Sequence, residues 1–323
     1  MRTIKLIKNR SDLGAGTRGS DLGIDAIEIA AINKDDDYFN CYPFEDIATV
    51  NETVYNKVHN SFAKRIGCVL KVCTRLSESI KSSLKENSFP IVLSGDHSSA
   101  IGSISGIKAA YPNKRIGVVW IDAHADINSP FTSPSGNIHG MSLAATLNDD
   151  NLKHRINNVY EETQSYWTQL KNIGVEGQKV KHEDVVYFGV RSTEETERSV
   201  MKENHMRNYM VDEMRYRGFD TCLQEAVAKL NNCDMIYVSF DVDSMDCDLI
   251  SIGTGTPVSK GFDQYEIIDI IKAFVETDKV ECFEIVEVNP LLDTKGNVMA
   301  ETAFEVLKAT TEIVKSRLKF LGG

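Results

Sequence analysis

The chain has 323 residues, 42% hydrophobic and 26% charged, so a sizeable core is expected and extended disorder is excluded. A formal net charge of -11 argues against nucleic acid as a partner, because phosphate recognition needs a basic face, whereas a basic small molecule would be attracted. Seven scattered cysteines with no C-x-x-C pair point to reduced thiols and a cytoplasmic location, and no apolar run approaches the roughly 20 residues of a membrane span.

In chain order, Met1 to Arg10 lacks the apolar stretch of a signal peptide, and Thr3–Ile7 reads as a first strand. Ser11 to Gly23 carries Gly14, Gly16, Gly19 and Gly23 but matches neither phosphate-loop pattern, so it reads as a shaped loop lining a site. A helix is expected at Ile24–Ile32 and a strand within Cys41–Val50. Val54–Glu86 is mostly helical in pattern, with Val69, Leu70, Val72, Cys73 and Leu76 as its buried stripe. Further strands are predicted at Phe89–Leu93, Ile116–Ile121, Val185–Val190, Arg207–Val211, Met235–Phe240 and Val280–Val288. Helices are predicted at Ser98–Ala110, Glu194–Glu203, Cys222–Leu230, Asp263–Val275 and Glu301–Val314. Asp149 to Lys181 is polar and mixed, an excursion anchored by Trp167. Such alternation implies an α/β fold with a mostly parallel sheet of about eight strands, covered by helices on both faces. No linker or repeat divides the chain, so residues 1–323 read as a single domain.

Three of the predicted strands end in metal-capable side chains. Asp122, His124 and Asp126 follow Ile116–Ile121 at alternate positions, and in extended chain such residues point the same way. Asp241 and Asp243 close Met235–Phe240, and His97 follows Phe89–Leu93. Open α/β sheets place ligands at strand ends, and buried carboxylates need compensating charge. Two imidazoles with four carboxylates and no thiolate favour manganese over zinc, though iron or cobalt would also fit. Six ligands suit two ions with bridging carboxylates, a device that lowers the pKa of a bound water toward about 7. His139 falls beside these motifs. The remaining four histidines, His59, His154, His182 and His205, sit in polar surroundings and read as surface residues.

The ordered motifs S-G-D-H-S (94–98), D-A-H-A-D (122–126), S-G-N-I-H-G (135–140), S-F-D-V-D (239–243), T-G-T-P (254–257) and E-V-N-P (287–290) resemble the ureohydrolases, and among them the arginase family most. The resemblance implies a three-layer α/β sandwich with two manganese ions per subunit at one edge of the sheet. His97, Asp122, Asp126 and Asp241 would hold one ion; Asp122, His124, Asp241 and Asp243 would hold the other. The same resemblance makes Asp126 the carrier of a proton to the leaving amine, His139 a proton shuttle and Glu287 the partner of a guanidinium. It implies hydrolysis of L-arginine to L-ornithine and urea by a hydroxide bridging the ions, and a homo-oligomer, trimer or hexamer.

Asn128, Ser135 and Asn137 would grip the amino-acid head, with Thr256 lining the same pocket. Agmatine, formimidoylglutamate or another guanidino acid remains an alternative substrate, and an inactive binding or regulatory member is the alternative outside catalysis. Several positions depart from the family's pattern. Glu194 stands where an aspartate is typical, Ser94 where a glycine is usual, and the 244–253 loop lacks its usual prolines. Asp246 and Asp248 read as structural or solvated.

Overall fold

The structure, a computed structural model, describes residues 2–321, with side chains through residue 318. Its strands are β1 (Thr3–Asn9), β2 (Phe44–Asp46), β3 (Ser88–Ser94), β4 (Ile116–Ile121), β5 (Val180–Phe188), β6 (Arg207–Tyr209), β7 (Met235–Asp241) and β8 (Val280–Val286). Its helices are α1 (Gly23–Asn33), α2 (Ile66–Lys85), α3 (Ser99–Ala110), α4 (Ser142–Leu147), α5 (Glu161–Lys171), α6 (Glu195–Glu203), α7 (Val211–Arg217), α8 (Phe219–Lys229), α9 (Gln264–Val275) and α10 (Val298–Leu321).

Among the described residues the strands form one eight-stranded sheet in the order β2-β1-β3-β8-β7-β4-β5-β6. Every pair is parallel. Parallel strands need crossovers, and helices crossing on both faces leave each central strand apolar along its whole length. On β4 the alternation divides two cores: Val119 and Ile121 pack on one side, Val118 and Trp120 on the other. Residues of α1, α8, α9 and α10 complete the first core, and those of α2, α3, α4 and α5 the second. This is the expected three-layer arrangement.

The topology positions the site. The chain passes from β3 across to β4 and leaves a gap that β8 and β7 fill later. The carboxyl ends of β3, β8, β7 and β4 are therefore adjacent, although they lie far apart in sequence. Ligand sites gather where an open parallel sheet changes direction in this way.

Several boundaries differ from expectation. The long helix predicted over 54–86 begins only at Ile66. Asn51–Tyr55 makes a short 3-10 turn, and Arg65, at φ 56°, breaks the helical path. Val211 opens α7 rather than closing β6, because Met210 before it is extended. The unanticipated α4 follows His139, and α10 outruns its predicted span at both ends. Within 149–181 lies α5, whose buried Trp167 donates from Nε1 to Asp150 Oδ1 at 2.7 Å. Lys171 Nζ meets the same oxygen at 2.6 Å. The excursion is thus pinned to the core by one aromatic ring and one carboxylate.

Trp167→Ala should lower unfolding free energy by roughly 3–5 kcal/mol, as expected when a large buried side chain is truncated. Urea unfolding measures this, and a loss below about 1 kcal/mol would show that the ring does not anchor the segment.

Candidate active site

Each of the four adjacent strand ends contributes. After β3, Gly95 lets the chain turn against the glycine-rich loop, since an added Cβ there would meet Ser11 O at 2.3 Å. His97 follows and is fully buried, its ring stacked on Trp120 with centroids 4.0 Å apart. Asp122, His124 and Asp126 follow β4, Asp241 ends β7 with Asp243 two residues on, and Glu287 follows β8. Asp126 (φ 49°) and Glu287 (φ 68°) occupy the left-handed region that non-glycine residues avoid. Both are held there from outside: Asp126 O accepts Leu143 N–H, and Glu287 N–H donates to Gly95 O at 2.8 Å. Strained backbone of this kind clusters at functional sites.

The side chains converge tightly. His97 Nδ1 lies 3.0 Å from Asp122 Oδ2 and 3.2 Å from both Asp126 Oδ2 and Asp241 Oδ2. His124 Nδ1 lies 3.0 Å from Asp243 Oδ2 and 3.5 Å from Asp122 Oδ1. Two triads, His97–Asp122–Asp241 and Asp122–His124–Asp243, each have ligand atoms within 4.8 Å of one another, and they share Asp122. Both Nδ1 of His97 and Oδ2 of Asp122 are buried without a hydrogen-bond partner. A single ring nitrogen cannot serve three carboxylates, but one cation at that point would serve all four groups. The donor set is oxygen and imidazole without sulfur, which suits a borderline-to-hard divalent ion. Two such ions would balance the four aspartates.

Without that charge the imidazoles supply it. Burial alone would lower both histidines, yet Asp122, Asp126 and Asp241 raise His97 well above its usual range, and Asp243 and Asp122 do the same for His124. Asp126 is raised to about 6 by burial and by the neighbouring Asp122 carboxylate. Metal ligands must shed these protons on binding, so ion uptake releases acid.

Above the cluster opens a cleft of about 400 Å³. Its wall carries His124, Asp126, Asn128, Ser135, Asn137, His139, Glu194, Asp241, Asp243 and Thr256, so the predicted ligand and substrate residues share one place. Larger hollows of about 630 and 760 Å³ lie elsewhere, and neither holds one of the metal-capable triads found among the described residues. Thr256 Oγ1 donates to Asp243 Oδ2 at 3.0 Å, and Asn128 Nδ2 donates to Glu194 Oε2 at 3.2 Å. Glu287 lies deeper, 2% exposed, with Oε1 accepting His97 N–H at 2.9 Å and lying 3.0 Å from His139 Nδ1. Burial would lower His139, but Glu287 outweighs it and raises the imidazole to about 9. The Oε2 of Glu287 faces Gly255, where an added Cβ would come within 3.8 Å.

The glycine-rich loop lines the site as expected: Gly14 O accepts His139 N–H at 3.2 Å, and a Cβ on Gly16 would meet Asn137 Nδ2 at 2.5 Å. His59 and His205 are exposed. His154 and His182 are half-buried beside Glu203 and Asp149, away from the cluster. Residues that the sequence did not single out also contribute. Glu197 lines the cleft, forms a capping box with Glu194 at the start of α6, and is raised well above its usual range by burial and by Glu194. No sequence signal marks this cap, since glutamate is not among the preferred N-cap residues. Arg191 donates to the carbonyls of Gly189, Asp243, Ser244, Met245, Val258 and Ser259, fixing the backbone that carries Asp243.

The family model described as the arginase family matches residues 3–311. The chain is 34% identical over 310 residues to an arginase of Bacillus subtilis (strain 168), covering 95% of this chain and 97% of that one. It is 33% identical over 301 residues to an arginase of Brevibacillus brevis, covering 92% and 94%. The native crystal structure of the Bacillus caldovelox arginase superposes with a TM-score of 0.80 at 32% identity, covering 96% of this chain and 98% of that one.

Manganese should raise the melting temperature of chelator-stripped protein. Saturation at about 100 times the dissociation constant corresponds to roughly 2.7 kcal/mol per site. Asp122→Asn removes the shared ligand and should abolish most of that shift in differential scanning fluorimetry. An equal shift in the variant would rule out a shared ion site.

Proposed function

The chain belongs to the arginase family, and from that premise we propose that it hydrolyses L-arginine to L-ornithine and urea at a paired manganese site. One observation carries the reading: two metal-capable triads sharing Asp122 form the floor of a cleft whose wall offers groups for both charges of an amino-acid head. His97, Asp122, Asp126 and Asp241 would hold one ion, and Asp122, His124, Asp241 and Asp243 the other. When bound, two such ions supply Lewis-acid polarisation and make a water acidic enough to act as a nucleophile near neutral pH.

The protein's own groups then bind, orient and move protons. A carboxylate meets a planar guanidinium with charge-assisted hydrogen bonds, and Glu287 offers its Oε2 for this. Asn128, Ser135 and Asn137 have neutral donors for the substrate carboxylate, directly or through water. Glu194, which accepts from Asn128 Nδ2, and Glu197 line the same cleft as a carboxyl pair, and an α-ammonium would relieve their mutual repulsion. Glu194 thus stays within reach of the amine despite its longer arm. Thr256 orients Asp243 through its hydroxyl. Asp126 carries a proton to the departing amine, and His139, at the cleft wall, exchanges protons with solvent. The balance is simple: arginine and water give ornithine and urea. We further propose that residues 1–323 act as one unit and that the enzyme is a homo-oligomer, trimer or hexamer, in the cytoplasm. No helix of the described residues is long and apolar enough to cross a membrane.

Manganese-incubated protein assayed for urea and ornithine should turn over arginine in preference to agmatine and formimidoylglutamate. No urea from arginine, with turnover of another substrate, would reject arginine. Glu287→Gln should lower kcat/KM for arginine by roughly 10- to 100-fold, the worth of a charge-assisted hydrogen bond at about 1.5–3 kcal/mol. Glu194→Ala should raise KM for arginine. An unchanged arginine KM would remove Glu194 from the amine subsite.

A further inference from the structure

The wall of the cleft sets a charge problem that the groups named so far do not answer. It carries Asp126, Asp241, Asp243, Glu194 and Glu197. Two divalent ions would offset the aspartates, but the glutamates remain, and they repel a substrate carboxylate brought in beside them. The groups proposed to hold that carboxylate, Asn128, Ser135 and Asn137, are all neutral. A cation stands behind the last of them. Lys64 is half-buried, its Nζ donates to Asn137 Oδ1 at 3.2 Å, and no carboxylate pairs with it among the described residues.

Close packing of two backbone segments delivers this lysine. Arg65 breaks the helical path, so residues 61–64 stay outside α2 and run against the 135–137 loop. Gly136, at φ 72°, permits the approach, since a Cβ there would collide with Ser61 O. Lys64 N–H then donates to Gly136 O at 2.7 Å, which fixes the lysine backbone beside Asn137. An ammonium can only donate, so it settles which end of the Asn137 amide faces it. Oδ1 is taken by Lys64, and Nδ2 is left as a donor with no partner among the described residues. Gly16 keeps that donor uncovered, because a Cβ on Gly16 would lie 2.5 Å from it.

We propose that Lys64, acting through Asn137, makes the cleft select substrates that carry a carboxylate. Lys64 does not itself line the cleft, so it is a positioning residue. It orients the amide with a free donor outward and sets a positive charge directly behind that donor, where a partly buried setting strengthens both effects. Arginine has a carboxylate for this donor, and agmatine, its decarboxylated counterpart, has none. Lys64 therefore favours the first and is indifferent to the second. The inference deepens the arginine reading above and rests on it.

The test compares a substrate that has the carboxylate with a competitor that lacks it. Lys64→Met removes the cation and keeps the backbone N–H that ties the segment to Gly136. Full-length, manganese-loaded protein is assayed with arginine as substrate and agmatine as competing inhibitor. In Lys64→Met the KM for arginine should rise roughly five- to tenfold with kcat within about twofold, while the inhibition constant of agmatine stays within about twofold. Lys64→Arg keeps a cation and should hold the arginine KM within about threefold of the unsubstituted protein. Lys64→Gln carries the expectation of Lys64→Met if that variant does not fold. An unchanged arginine KM in the uncharged variant, an equal loss for arginine and agmatine, or a Lys64→Arg protein as impaired as the uncharged one overturns the selective role of Lys64 while leaving arginine hydrolysis standing. Unsubstituted protein that makes no urea from arginine overturns both readings.

Discussion

Four aspartates forced together in a dry place repel one another, and much of the molecule is organised around holding them there. The sheet does the coarse work. Parallel strands buried on both faces end together at one edge, and the late insertion of β8 and β7 beside β3 and β4 makes four such ends neighbours. Side chains leaving those ends have nowhere to spread. Their charge is answered by two imidazoles and, on the proposed reading, by divalent ions. The net -11 of the whole chain is a separate matter, and bears on approach of a basic substrate more than on the fold.

Finer placement comes from backbone that would not adopt its shape unaided. Asp126 and Glu287 both take left-handed conformations, each at a cost of order 1 kcal/mol or more, and each is fixed by a hydrogen bond to a neighbouring strand end or helix. Arg191 fixes a third segment by filling its guanidinium with carbonyl oxygens rather than with a carboxylate. Burial lowers its pKa from the usual arginine range, but guanidinium remains the charged form at any working pH. The site is therefore stiff because its loops are tied to one another as well as to the sheet.

Much of this was legible in the sequence, for identifiable reasons. Ile116–Ile121 is an unbroken apolar, β-branched run, and its boundaries match the strand. Asp122, His124 and Asp126 announce themselves by spacing, and the structure does bring them to His97, Asp241 and Asp243. What failed was periodicity where backbone intervened: 54–86 reads as mostly helical with only Gly67 interrupting, but the chain turns at Arg65 and the helix begins only after it. Glu284 went unnoticed for another reason: it sits within an apolar strand, and only the order of the sheet brings the hydroxyls of Ser94 and Tyr237 to it. Glu197 had no sequence mark, because its N-cap partner Glu194 falls outside the usual Ser, Thr, Asp or Asn set, and the left-handed turn at Glu287 has no sequence signature either.

The Arg191 clamp bears on how such a protein can diverge. It grips residues 243–245 at one end of a partly buried segment and 258–259 at the other. The stretch between is tethered at both roots, so residues 246–252 can change without dragging on Asp243, whereas Thr256, whose hydroxyl holds Asp243 Oδ2, cannot. Of that stretch only Thr256 reaches the cleft wall, so variation in the rest leaves the reactive floor as it is.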